Sequence, residues 1–224
     1  MPIAVLPRIA PALLFLVLPL ASHALCTSDN VAQSSAVLER FVNADCGDCW
    51  RDPATARPDR DTLVLDWVIP GRNGPAAPLS MVASDDALER LATLRQPVPD
   101  RIGALTSRRE GDAVPLRLAQ GAAFNDYVGA SVELKEPGRE PWRAWLLLVE
   151  SLPAGVEGSP VARNLVRNVF RTDWGNVMRR APGRLAENRA MQIHTGAHPD
   201  RLRLVGVLHD GRGRIRAITR TECR

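Results

Sequence analysis

Four cysteines, Cys26, Cys46, Cys49 and Cys223, constrain this 224-residue chain more than any other feature, because their spacing limits how it can be closed on itself. Whether they pair depends on the compartment, since disulfides persist in oxidising surroundings. The N-terminus speaks to that. Arg8 is followed by the apolar run Ile9–Ala21, and no acidic residue precedes Asp29. Ser22 and Ala24 flank His23 as small residues flank a signal cleavage site, which places the cut after Ala24. The apolar run is about a dozen residues, against the ~20 that a spanning helix requires. Residues 1–24 therefore read as a cleavable leader, and the remainder as a periplasmic or secreted protein with no membrane span. Cys26 is preceded by Ala24-Leu25 rather than by two small residues, which argues against lipid attachment.

Four cysteines allow three pairings. Cys26 opens the mature chain and Cys223 is its penultimate residue, and domain termini often lie close together. A Cys26–Cys223 staple is therefore expected, worth roughly 4–5 kcal/mol in the chain-entropy account. That leaves Cys46-Gly47-Asp48-Cys49, for which three readings exist. A zinc site needs a second ligand pair; His194 and His198 have i, i+4 spacing, but Gly196 and Pro199 argue against a helix presenting both. A structural clip is the second reading and a redox pair the third. The redox reading is favoured by what precedes the pair: Ser35–Val42 reads as a strand, and Asn43-Ala44-Asp45 as a short loop. A strand, a loop and C-x-x-C opening a helix is the thioredoxin-like arrangement. There, free amides at the helix start stabilise the first thiolate, and the second cysteine resolves a mixed disulfide. Asp45 and Asp48 flank Cys46 and oppose a thiolate, with Arg51 offsetting one of them. A reducing or weak exchange role is expected over strong disulfide donation. Trp50 either shields the pair or simply packs.

The stretch Glu39-Arg40-Phe41-Val42-Asn43-Ala44-Asp45-Cys46-Gly47-Asp48-Cys49 resembles the E-L-F-T-S-Q-G-C-S-S-C segment of an exported bacterial thioredoxin-like family, domain of unknown function 1223. Glu39, Phe41 and both cysteines fall in register. Arg163-Asn164-Leu165-Val166-Arg167 is similar to that family's N-V-V-R element, and Arg203–Ile215 to its closing hairpin. The resemblance implies an α/β fold, with a thioredoxin-like N-terminal part followed by a β-rich C-terminal part. It also implies a proline, usually cis, beside the cysteines. Pro78 and Pro115 are the candidates, with Pro78 preferred because Ser84-Asp85 then opens a helix. Trp50-Arg51 stands where the family has Pro-Pro, and the segment between the second and third strands is short here.

The rest of the chain supports a division into residues 25–97 and 98–224. Thr62–Ile69 is a nearly continuous apolar strand, the pattern of a strand covered on both faces. Ser84 caps a helix over 85–95, with Leu88, Leu91 and Leu94 as its apolar stripe and Pro97 as its stop. Beyond it strands dominate: 114–119, 127–134, 144–149, 202–208 and 214–219, while 161–170 fits either a strand or a helix. Trp142, Trp145 and Trp174 read as core or rim aromatics.

The formal charge of +4 falls to +3 when Arg8 leaves with the leader, and no basic block is present, so nucleic acid is not an indicated partner. No phosphate loop, serine-hydrolase elbow or zinc-protease motif occurs, and no cofactor is implied. The leading reading is an exported protein exchanging disulfides with periplasmic or secreted protein thiols, with Cys46 attacking and Cys49 resolving. The alternatives are a non-catalytic binding module with structural disulfides, and soft-metal binding by the C-x-x-C.

Overall fold

The computed structural model describes residues 26–138, 141–172, 174–177 and 184–223; residues 1–24, expected to be a leader, lie outside them. In chain order come β1 (Cys26–Thr27), β2 (Ala36–Asn43), α1 (Gly47–Arg51), β3 (Thr62–Ile69), α2 (Asp85–Leu94), β4 (Ile102–Arg108), β5 (Leu116–Phe124) and β6 (Tyr127–Leu134). Then follow β7 (Arg143–Leu152), β8 (Arg163–Arg171), α3 (Trp174–Val177), β9 (Leu185–Gln192), β10 (Leu202–His209), β11 (Ile215–Arg220) and β12 (Glu222–Cys223). The strands form a seven-stranded sheet, in the order β11-β10-β7-β8-β3-β2-β4, and a five-stranded sheet, β12-β1-β5-β6-β9. In the larger sheet β2 and β3 run parallel, as do β3 and β8; the other neighbours are antiparallel.

This architecture corrects the expectation of a thioredoxin-like α/β fold. The chain is mostly strand, 45% against 14% helix, and two packed sheets carry its core. The boundary expected at residue 97 falls between α2 and β4, yet the large sheet takes strands from both sides of it. The physical reason is visible in β7. Trp145, Leu147 and Val149 point to the α2 side, while Leu146 and Leu148 point to the small sheet. A strand apolar on both faces must be central, and it draws flanking strands from the whole chain.

The small sheet lies over β7, β10 and β11. Leu116, Leu118, Val128, Val132 and Leu134 meet Leu146, Leu148, Leu204 and Leu208. Gly206 permits this approach, since a Cβ there would sit 2.9 Å from a Leu116 methyl. On the opposite face α2 buries Ala87 and Leu91 against Phe41, Leu65 and Trp67. Ser84 caps α2 by accepting from the Asp86 amide at 3.1 Å, and Arg95 ends it in the left-handed region at φ 55°. The ambiguous segment 161–170 is strand β8, because Leu165 and Val166 serve opposite faces of the large sheet. β4 and β9 escape sequence patterning for one reason. Both are edge strands, largely solvent-facing, so they carry little apolar alternation.

The termini meet as expected. Cys26 pairs with Cys223 across β1 and β12, and the two are joined by a disulfide spanning 197 residues. Replacing both with alanine is expected to cost about 2–5 kcal/mol, read as a lower urea midpoint. His209, on the α2 face beside Arg90, supplies a pH response. Burial first, then the Arg90 charge, lowers its pKa from 6.5 to about 4. The unfolded chain binds this proton below its ordinary pKa and the folded chain does not, so stability falls as pH drops from 6.5 to about 4. The loss is on the order of 3 kcal/mol. Urea midpoints across that window should fall in the wild type and flatten in His209→Gln.

Candidate functional site

Cys46 and Cys49 are joined by a disulfide in the cap that covers the C-terminal end of β2. β2 ends at Asn43, whose side chain accepts from the Asp45 amide at 3.0 Å and so starts the turn. Cys46 is the N-cap of α1, and its Sγ accepts from the Cys49 amide at 3.3 Å. The cystine packs on Val42 and Leu79, leaving Cys46 8% and Cys49 4% exposed, while Asp48 beside them is open to solvent.

The two acids flanking Cys46 have other work. Asp45 accepts from the Arg72 and Asn73 amides at 2.7 and 3.2 Å, pinning the 71–73 turn. A Cβ at Gly71 would run into the Asp45 carboxylate and displace it from these amides. Asp48 pairs with Arg51 at 2.8 Å. Arg51 thus offsets Asp48, as expected, while Asp45 is held by backbone amides.

Beneath the cap lies a buried ion network that sequence reasoning missed. Asp66 sits at the middle of β3 with no exposure. It takes Arg40 through Nε and Nη2 at 2.8 and 2.7 Å, and Arg163 through Nη1 at 2.9 Å. Arg163 in turn donates to the Trp50 carbonyl at 2.9 Å and stacks over its indole at 4.4 Å. Trp50 Nε1 closes the cap by donating to the Glu157 carbonyl at 2.9 Å. Trp50 is therefore a keystone of the cap, joining the residue after Cys49 to the core of the sheet. A second buried set, Glu39 with Arg90 and Trp67, ties β2 and β3 to α2 on the other face. The available signal was a charge inside an apolar strand: Asp66 within Leu63–Ile69, and Glu39 and Arg40 within Ala36–Val42. Ionised groups at such positions require buried partners.

No peptide bond is cis among the described residues, so neither Pro78 nor Pro115 is the cis-proline expected. Pro78 does lie beside the cysteines, 3.2 Å from where a Gly47 Cβ would stand. Pro115 lies elsewhere, just before β5 in a cavity bordered by Asp29 and Arg117. His194 and His198 do not converge. His194 borders a small hollow with Met81 and Arg167, while His198 clusters with Glu150 and Glu157. That cluster is already neutralised: Arg167 binds Glu150, and Arg201 approaches Glu157 at 3.5 Å. Arginines thus already compensate both carboxylates of the cluster. Trp142, Trp145 and Trp174 are all buried, as packing aromatics should be.

Comparison with models of known protein families, with curated proteins and with solved structures found no match. The site must be read from its own chemistry.

Replacing Asp66 with asparagine leaves two buried guanidinium groups under-compensated. Stability should fall by about 3–5 kcal/mol, the range for breaking a buried ion pair. An unfolding free energy from denaturant titration within about 1 kcal/mol of the wild type would contradict the network's role.

Proposed function

We propose that the protein is exported and carries an exchangeable disulfide, Cys46–Cys49, that reacts with the thiols and disulfides of other exported proteins. One observation carries the reading: the Cys49 amide points at Cys46 Sγ, 3.3 Å away. When the pair is reduced, that N–H stabilises a Cys46 thiolate, the form that attacks. The thiolate displaces one sulfur of a partner disulfide, giving a mixed disulfide and a partner thiolate. Cys49, deprotonated, then attacks Cys46 Sγ. The partner leaves as a dithiol, and Cys46–Cys49 is restored with two electrons passed to the partner.

The surroundings support a protein partner. Val98 and Ile102 are exposed, 56% and 38%, beside the end of β2, and Met81 is 72% exposed just beyond Leu79. The Arg101 carbonyl accepts from the Asn43 amide at 2.9 Å, and the Leu79 amide donates to the Ala44 carbonyl at 3.1 Å. Apolar side chains thus emerge from both segments that clasp the cysteine loop. Two disulfides suit an oxidising compartment, and no helix among the described residues is long and apolar enough to cross a membrane.

A second reading has its own support. Both cysteines are buried under Leu79, as a permanent clip for the cap would be. The reduction potential of Cys46–Cys49 separates the two. Exchange requires a couple above about −300 mV, and an insulin-reduction or glutathione-exchange rate that disappears in Cys46→Ser. A lower potential with no such activity assigns the pair to the clip.

A further inference from the structure

A cleft opens beside the first residues of β3, bordered by β7, β8, β10 and β11. β3 and β8 pair in register at Asp66 and Leu165, and on the border of the cleft Asn164 of β8 donates from Nδ2 to the Val64 carbonyl at 3.1 Å. The opening has a volume of about 330 Å³, the small end of the range for ligand sites. Leu63, Val149 and Val205, from the apolar cluster shared with α2, line one side of it. Arg203, Arg220 and Glu222 supply its charge.

These charges do not cancel. Arg220 and Glu222 pair with each other at 2.9 Å. Arg203 has no carboxylate partner among the described residues; its Nη1 alone is engaged, donating to the Asp200 and Leu202 carbonyls at 3.0 and 2.7 Å. Two cations and one anion leave the lining with a single net positive charge. The open edge of Arg203, Nε with Nη2, is the one this chain uses elsewhere to grip carboxylates. Arg40, Arg90 and Arg117 each hold an acid through those two nitrogens at 2.7–2.9 Å. Such a fork matches the two oxygens of a carboxylate.

We propose that this cleft binds a small organic monocarboxylate. The carboxylate is held by Nε and Nη2 of Arg203, and a short aliphatic body lies against Leu63, Val149 and Val205. The site is separate from the cystine and does not depend on disulfide exchange.

Hexanoate, added to the protein with both disulfides formed, tests this by calorimetry and by amide NMR shifts. Saturable binding is expected, with shifts centred on Leu63, Val149 and Val205. Arg203→Gln should weaken it by about tenfold or more, the loss of one charge-assisted contact. Arg203→Lys, which keeps the charge and loses the fork, should also bind more weakly while melting as the wild type does. Hexanol and hexylamine should not saturate the site. The proposal is overturned by non-saturating hexanoate, by shifts centred elsewhere, or by a folded Arg203→Gln or Arg203→Lys that binds like wild type. It is equally overturned if acetate or hexanol binds as tightly as hexanoate.

Discussion

The Asp66 carboxylate, buried between two guanidinium groups, is the interaction on which the cysteine-bearing end of the molecule rests. Removing a carboxylate from water costs several kcal/mol unless its oxygens are well satisfied. Here Arg40, Arg163 and the Asn164 amide satisfy them. The consequence is geometric as much as energetic. Arg40 belongs to β2, Asp66 to β3 and Arg163 to β8, so one ion cluster aligns three strands on the face below the cap. Parallel pairing alone would hold β3 to β8 weakly, since their register contact is a single residue pair.

From that cluster the cap is built outward. Arg163 reaches the carbonyl and the ring of Trp50, and Trp50 reaches Glu157 on the loop between β7 and β8. Glu157 holds a positive φ of 50°, a conformation that non-glycine residues adopt only where contacts over-determine it. Cys46 and Cys49 therefore ride on a short helix fixed from below, with their outer side formed by Pro78, Leu79 and the exposed Asp48. Rigid support under a short-spaced cystine loop serves either a reactive disulfide or a permanent one. The direction of the Cys49 amide favours the first.

The sparse β3–β8 pairing has two sides. Toward the cap, it is bridged by ions. Toward the start of β3, Asn164 Nδ2 bridges it by donating to the Val64 carbonyl at 3.1 Å, beside the cleft that borders Arg203 and Val205.

Much of this was legible in the residues. Thr62–Ile69 and Tyr127–Leu134 match their strands because continuous or alternating apolar residues leave few other folds. Ser84 and its following acids mark the start of α2, as capping chemistry requires. The Cys26–Cys223 staple was expected from the placement of these two cysteines far apart in the chain. Local chemistry determined these features, and the sequence by itself carried them. Partner choice was different. That β2 would lie parallel to β3 and antiparallel to β4, that β7 would be flanked by β10 and β8, and that Asp66 would find Arg40 and Arg163 all depend on contacts between residues far apart in the chain. A C-x-x-C after a strand looks the same locally whichever sheet receives that strand. Only the tertiary structure decided that it caps two packed β-sheets, because long-range burial, not the motif, selects the neighbours.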